Sequence, residues 1–293
     1  MPRSTFLAPL KPKILKAYEA VIPERTDVLK AIGSRLDNID IDHRRESFSA
    51  IPVYGIVNVG WWALESIWCL AYCVNVWGPA FKRAMEDGET AVSLDRVAHD
   101  FIGMGLFNWT VDNLALEGER PWLHSNAPDY PYDAGGEPFD ETIRSTESVF
   151  LGAVGWILLH ELAHIDHGHG NNPDVRADEE EADRTATEWL FKKAPFGTVD
   201  DRFTGLATAL YYMWIREDRM ATPDGDHPPV ADRIEAAIQN AGLVDNAWCL
   251  CVFAAMMDAY EQRSASATPV ARLTTFDTCK DYVDACLRVR RTR

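Results

Sequence analysis

The sequence predicts a mainly α fold with room for a small sheet in its N-terminal half. Three observations carry that expectation. Helix start and stop signals recur from about residue 147 onward. The run 149–159, VFLGAVGWILL, is apolar on nearly every face, which marks a helix at the centre of a core. The run 48–59, FSAIPVYGIVNV, is short and apolar and has room for a strand, although periodicity alone does not separate strand from buried helix over such a length.

Taken in order, apolar residues recur with helical period around 10–36. Residues 51–81 follow, strongly apolar, rich in tryptophan and interrupted by Asn58, Glu65 and Asn75. A membrane-spanning helix needs roughly 20 nearly unbroken apolar residues, and a charge near its middle is costly. The expectation is a buried helix of a soluble core, with a membrane anchor as the alternative. Helical period returns weakly around 90–115. Pro, Gly, Asn and Asp then cluster in 120–142, a loop that separates an N-terminal region, 1–125, from a chemical core, 126–293. In that core 147–167 reads as an apolar helix stopped by Gly168 and Gly170, and Asn172 with Pro173 starts a second helix reaching about Lys193. Further helices are expected at 203–217, at 228–241 (opened by Pro228 and Pro229, closed by Gly242), at 244–262 and at 276–290.

Bulk composition narrows the function. The 293 residues are 47% hydrophobic and 25% charged, ordinary for a globular chain. The net charge of -16 lacks the basic footprint of a duplex nucleic-acid binder. The basic cluster Arg288, Arg290, Arg291 and Arg293 reads as a solvated helix end. None of the six cysteines is spaced for a zinc ribbon, so they read as small buried hydrophobes. The first 20 residues hold no apolar run long enough for a secretory signal, and the expected location is the cytoplasm.

The chemistry concentrates in His160-Glu161-Leu162-Ala163-His164. On a helix, residues four apart point the same way one turn apart, as two adjacent ligands of a zinc ion require. Glu161 lies about 100° further round, able to reach a water on the metal as general base without being a ligand. Two histidines and a glutamate inside so apolar a helix would be costly to bury without partners, and a metal satisfies all three.

A third ligand can be sought by helical phase in the acidic run 174–186. Taking about 100° per residue, Val175, Ala182, Asp183, Ala186, Trp189 and Leu190 all fall within about 80° of Glu179. Glu180 and Glu181 point elsewhere. An acid in the apolar stripe, across a tight turn from His164, is well placed as the third ligand, and Asp183 one turn on can accept the free ring N–H of a ligand histidine. His169 in the intervening loop is the alternative ligand. Trp109, Trp122 and Tyr130 could line a cleft, or simply pack into the core. His227 precedes a helix opened by proline, near the positive end of its dipole, and could equally be a plain helix-start histidine.

HELAH followed by Glu179-Glu180-Glu181-Ala182-Asp183 resembles the HExxH and Glu-x-x-Ala-Asp elements of the gluzincin metallopeptidases. The run 226–234, DHPPVADRI, is similar to the His-Pro and Arg-Ile element of the HtpX and CAAX-prenyl-protease group. A metzincin would need glycine at position 167 and histidine at position 170, which the chain lacks. The resemblance covers 147–240 and implies a zincin-like helical core with an active-site helix and a glutamate helix. It further implies Zn2+ held by His160, His164 and Glu179, with Glu161 catalytic, His227 facing the substrate oxyanion, and Asp183 and Arg233 bracing the site. HtpX-type enzymes carry clear membrane helices. This chain's layout looks more like the Lit-type phage-exclusion peptidases, which implies cleavage of a translation elongation factor after infection. The expected function is a soluble zinc endopeptidase of restricted specificity acting on a protein or peptide, without nucleic acid. A catalytically silent zincin-fold binding protein and a membrane-anchored zinc protease are the competing readings.

Overall fold

A computed structural model describes residues 6–42, 47–86, 97, 99–114, 131–170, 174–219, 227–245, 247–263 and 278–292. The helical period of 10–36 resolves into three short helices, α1 (Lys11–Ile14), α2 (Ala17–Val21) and α3 (Thr26–Gly33). Pro23 accounts for the break after α2, because the residue before a proline avoids the helical region, and Ile22 sits at φ -133°, ψ 48°. The apolar run 48–59 holds two strands. β1 (Asn38–Asp42) pairs in parallel with β3 (Ile56–Gly60), and β2 (Phe48–Ile51) pairs antiparallel with β3 from the other side. The turn between β2 and β3 needs Gly55. Its φ is +62°, and a Cβ there would stand 2.1 Å from the Arg35 carbonyl oxygen.

Helix α4 (Trp61–Glu86) follows β3 directly, so the predicted buried helix begins ten residues later than 51. Its polar interruptions are satisfied internally. The Trp61 indole donates to buried Glu65 at 3.0 Å, and Asn75 donates to the Thr142 carbonyl at 3.1 Å. The helices that follow are α5 (Phe101–Asn113), α6 (Glu141–His167), α7 (Val175–Phe191), α8 (Val199–Arg219), α9 (Val230–Ala241), α10 (Trp248–Arg263) and α11 (Cys279–Arg291). The mainly α fold with a small N-terminal sheet is thus as expected. Among the described residues, the helix long and apolar enough to cross a membrane is α6, and 78% of its apolar window is buried inside the protein.

Helix α6 is the axis of the fold, and α2, α4, α7 and α8 pack around it while β2 runs alongside. Its approach to α8 is backbone to backbone: a Cβ on Gly205 would lie 2.7 Å from the Gly152 carbonyl carbon. Gly205→Ala must push the two helices apart. It is expected to destabilise the protein by about 1–3 kcal/mol, read as a lowered Tm in thermal unfolding.

One sequence expectation changes in part here. Arg288 and Arg291 are exposed, as a solvated helix end would have them, but Arg290 is not: its side chain is largely covered, pairs with Asp218 and Glu217 of α8, and lies over the Trp214 ring at 4.8 Å. A cation beside an aromatic face and two carboxylates is better satisfied there than in water. Arg291 reaches Asp232 and Glu235 of α9, and Arg293 is outside the described residues. The six cysteines are buried, as expected of small hydrophobes, and Cys279 donates to the Cys251 sulfur at 2.7 Å.

Candidate metal centre

Asp140 caps the start of α6 by accepting from the Ile143 N–H at 2.8 Å, and the helix then runs into the core with His160, Glu161 and His164 all buried in its last turns. Gly168, at φ +69°, ends the helix as predicted. Asn172 and Pro173 lie outside the described residues. The cap of α7 is Asp174, accepting from the Ala177 N–H at 3.1 Å.

Helix α7 presents the glutamate that its phase selected. Glu179 is buried, whereas Glu180 is exposed and pairs with Arg176 at 3.1 Å. Val175 departs from the predicted stripe: it is 43% exposed, because helical phase does not bury a residue in a terminal turn that projects beyond its neighbours.

Three donor groups converge between α6 and α7. His160 Nε2 and His164 Nε2 are 3.2 Å apart, His160 Nε2 is 3.2 Å from Glu179 Oε2, and His164 Nε2 is 3.3 Å from Glu179 Oε1. Two facing ring nitrogens share at most one proton. The buried Oε2 of Glu179 accepts no aligned hydrogen bond among the described residues. Donors about 2.0–2.1 Å from a tetrahedral ion stand about 3.3 Å apart, so this donor set fits a zinc-sized cation. Burial would raise the Glu179 carboxyl, but the imidazoles of His160 and His164 hold it well below the usual range. Burial likewise opposes a charge on His160, yet Asp183 and Glu179 outweigh it and raise the imidazole to about 10.

Behind His160 stands a brace. Its Nδ1 lies 2.9 Å from Asp183 Oδ1, although the proton is poorly aligned, and both Asp183 oxygens accept from Arg233 at 2.7 Å. Arg233 also lies over the Trp156 ring of α6 at 5.9 Å. It comes from α9, whose first N–H, that of Val230, donates to Glu217 at 3.1 Å. Burial would raise the Asp183 carboxyl, and Arg233 and His160 together bring it below the ordinary value.

A cleft of about 110 Å³ opens at this centre, lined by Glu161 and His160 together with Phe48, Ile157, Met213, Arg216 and His227. Glu161 faces it from α6, its carboxyl raised above the ordinary value by burial. His227 is half-exposed at the cleft, with Nε2 3.5 Å from Glu179 Oε2. Asp226 is outside the described residues, as are Trp122 and Tyr130. Trp109 is buried in α5 and does not line the cleft. His169 is not at the point of convergence. Its Nδ1 lies 2.9 Å from His164 Nδ1, on the far side of that ring. Phe48 and Met213 escaped sequence reading because β2 and α8 reach the cleft only through tertiary packing. An apolar run next to a strand signal was the sole trace of Phe48.

A histidine pair and a glutamate buried on one helix, meeting a glutamate of a second helix beside an open cleft, are groups that a hydrolytic centre can use. Residues 57–257, more than half the chain, match the family model of Peptidase U49, and the chain belongs to that family. It is 24% identical over 239 residues to the cell death peptidase of Escherichia coli (strain K12), covering 79% of this chain and 76% of that protein. No solved structure matches. The protein is therefore a peptidase, with a protein or peptide substrate. Both findings agree with the Lit-type layout expected from the sequence.

Proposed function

We propose that this peptidase is a zinc-dependent endopeptidase of the gluzincin kind, working in the cytosol with restricted specificity. The observation that carries the reading is the convergence of His160, His164 and Glu179 at tetrahedral donor spacing beside a buried glutamate. His160, His164 and Glu179 would hold the ion. Zinc, when bound, acidifies a water molecule and polarises the scissile carbonyl.

The rest falls to the chain's own residues. Glu161, in the cleft but outside the donor triangle, takes the water's proton on its carboxylate and passes it to the leaving amine. His227, at the cleft mouth, donates a hydrogen bond to the oxygen on which charge develops. Asp183 and Arg233 hold the His160 ring so that Nε2 faces the donors. Every residue given a role falls in 126–293, the proposed peptidase core, while Phe48 of the N-terminal region borders the cleft.

An unregulated cytosolic peptidase would be toxic, so a restricted target follows. The Lit-type resemblance implies phage exclusion by cleavage of a translation elongation factor, and the name of the Escherichia coli relative, a cell death peptidase, fits a proteolytic event that kills the cell. The test is mass-spectrometric mapping of new protein termini in phage-infected cells expressing wild type or Glu161→Gln. The expected result is one or a few new termini, in an elongation factor, with wild type only. Broad degradation of many proteins, or identical termini in both strains, would contradict it.

A further inference from the structure

The end of α6 does more than stop a helix. The Gly168 N–H donates to the Ile165 carbonyl at 3.3 Å and the His169 N–H to the His164 carbonyl at 3.0 Å, with Gly168 in the left-handed region. In this type of helix ending, the residue after the glycine is folded back toward the one five positions before it. That contact is commonly apolar. Here it joins two histidines, His164 and His169, whose ring centroids are 5.0 Å apart at 74°.

The protons along this contact follow from hydrogen-bond logic. If His164 offers Nε2 to a metal, its proton sits on Nδ1. That proton points at His169 Nδ1, 2.9 Å away, which must then be bare and accept it. The His169 proton is thereby placed on Nε2, which lies 3.2 Å from Glu181 Oε2 on α7. Asp178 Oδ1 is the next carboxylate oxygen, at 3.9 Å. Glu181 is oriented in turn by Arg184, at 3.2 Å from its other oxygen. His169 is buried with a relative exposure of 8%, though it lies outside any helix, so its two ring nitrogens depend on these partners.

We propose that His169 is a positioning residue for the metal centre, relaying Glu181 to His164 as Asp183 is set directly against His160. The inference rests on the metal reading above. Each of the two ligand histidines of α6 then has an outer partner supplied by α7, one direct and one through an imidazole. Glu181, which helical phase excludes as a ligand, acts one layer out.

The test is zinc affinity by competition with a chromogenic chelator, together with the visible spectrum of the cobalt-substituted protein, for wild type, His169→Phe, His169→Asn and Glu181→Gln. Losing an outer partner of a ligand histidine weakens binding by roughly 10–100-fold, and that loss is expected for His169→Phe. His169→Asn keeps an acceptor near Nδ1 and should stay within about threefold of wild type, with Glu181→Gln between the two. The cobalt spectrum should keep its tetrahedral intensity throughout. Equal affinity in all four proteins would overturn the relay, and so would a cobalt spectrum of altered ligand number in His169→Phe, which would make His169 a ligand itself. Should His169→Phe fail to fold by circular dichroism, the half-exposed Glu181→Gln still decides, since unchanged affinity there removes the relay. Wild type that binds no zinc would instead overturn the metal reading, and this inference with it.

Discussion

Glu161→Gln is expected to lower kcat/KM for peptide cleavage by roughly 10²–10⁴-fold, the span of general acid–base catalysis, with zinc retained. Glutamine keeps the size and polarity of glutamate but cannot take a proton. Glu161 is buried in α6 and lines the cleft, yet contributes no atom to the cluster formed by His160, His164 and Glu179. Its removal should therefore leave the ion in place. Burial raises its carboxyl above the ordinary carboxylate value, while the neighbouring His160, His164 and His227 pull the other way. A base raised in this sense is active once ionised, so cleavage should fall as pH drops through its pKa. The check is steady-state kinetics alongside metal content for both proteins. An unimpaired Glu161→Gln enzyme would remove Glu161 from the chemistry.

Glu179→Ala carries the second large effect: loss of the metal. Outer partners of ligands are worth roughly 10–100-fold in affinity, so deleting a ligand should cost more than about 100-fold. The neighbouring Glu180→Ala is the control. Glu180 is exposed and pairs with Arg176, so its variant should bind zinc as wild type does. Protons add a signature of their own. In the metal-free centre His160 keeps its proton up to about 10, and zinc must displace it. Affinity should therefore rise about tenfold per pH unit as pH climbs toward that value, each ion releasing one proton from this ring. Titration at pH 6, 7 and 8 measures it, and an affinity independent of pH would contradict the assignment of His160 as ligand.

Local geometry decided how much was legible. His160, Glu161 and His164 could be read because four residues make about one helical turn, and Glu179 because the same period separates it from Glu180 and Glu181. Helix ends marked by Gly168 and Gly242 were legible for the same reason: a left-handed glycine is a local event. What depends on distant packing was not. The pairing of Arg290 with Asp218 and Glu217 joins segments over 70 positions apart, so composition alone suggested solvent. The meeting of His169 with Glu181 needs α7 folded against α6. Within 10–36 the periodicity was visible, but the segment is three short helices, and Pro23 accounts for the break between the second and the third. Phe48 enters the cleft only because β2 runs beside α6.

The most direct measurement is the metal content of wild-type protein purified without added metal or chelator, beside Glu179→Ala handled identically. Wild type should carry one zinc ion per chain and Glu179→Ala close to none. Wild-type protein that cleaves its substrate without zinc, or a Glu179→Ala variant as fully loaded as wild type, would contradict the assignment of His160, His164 and Glu179 as the metal site.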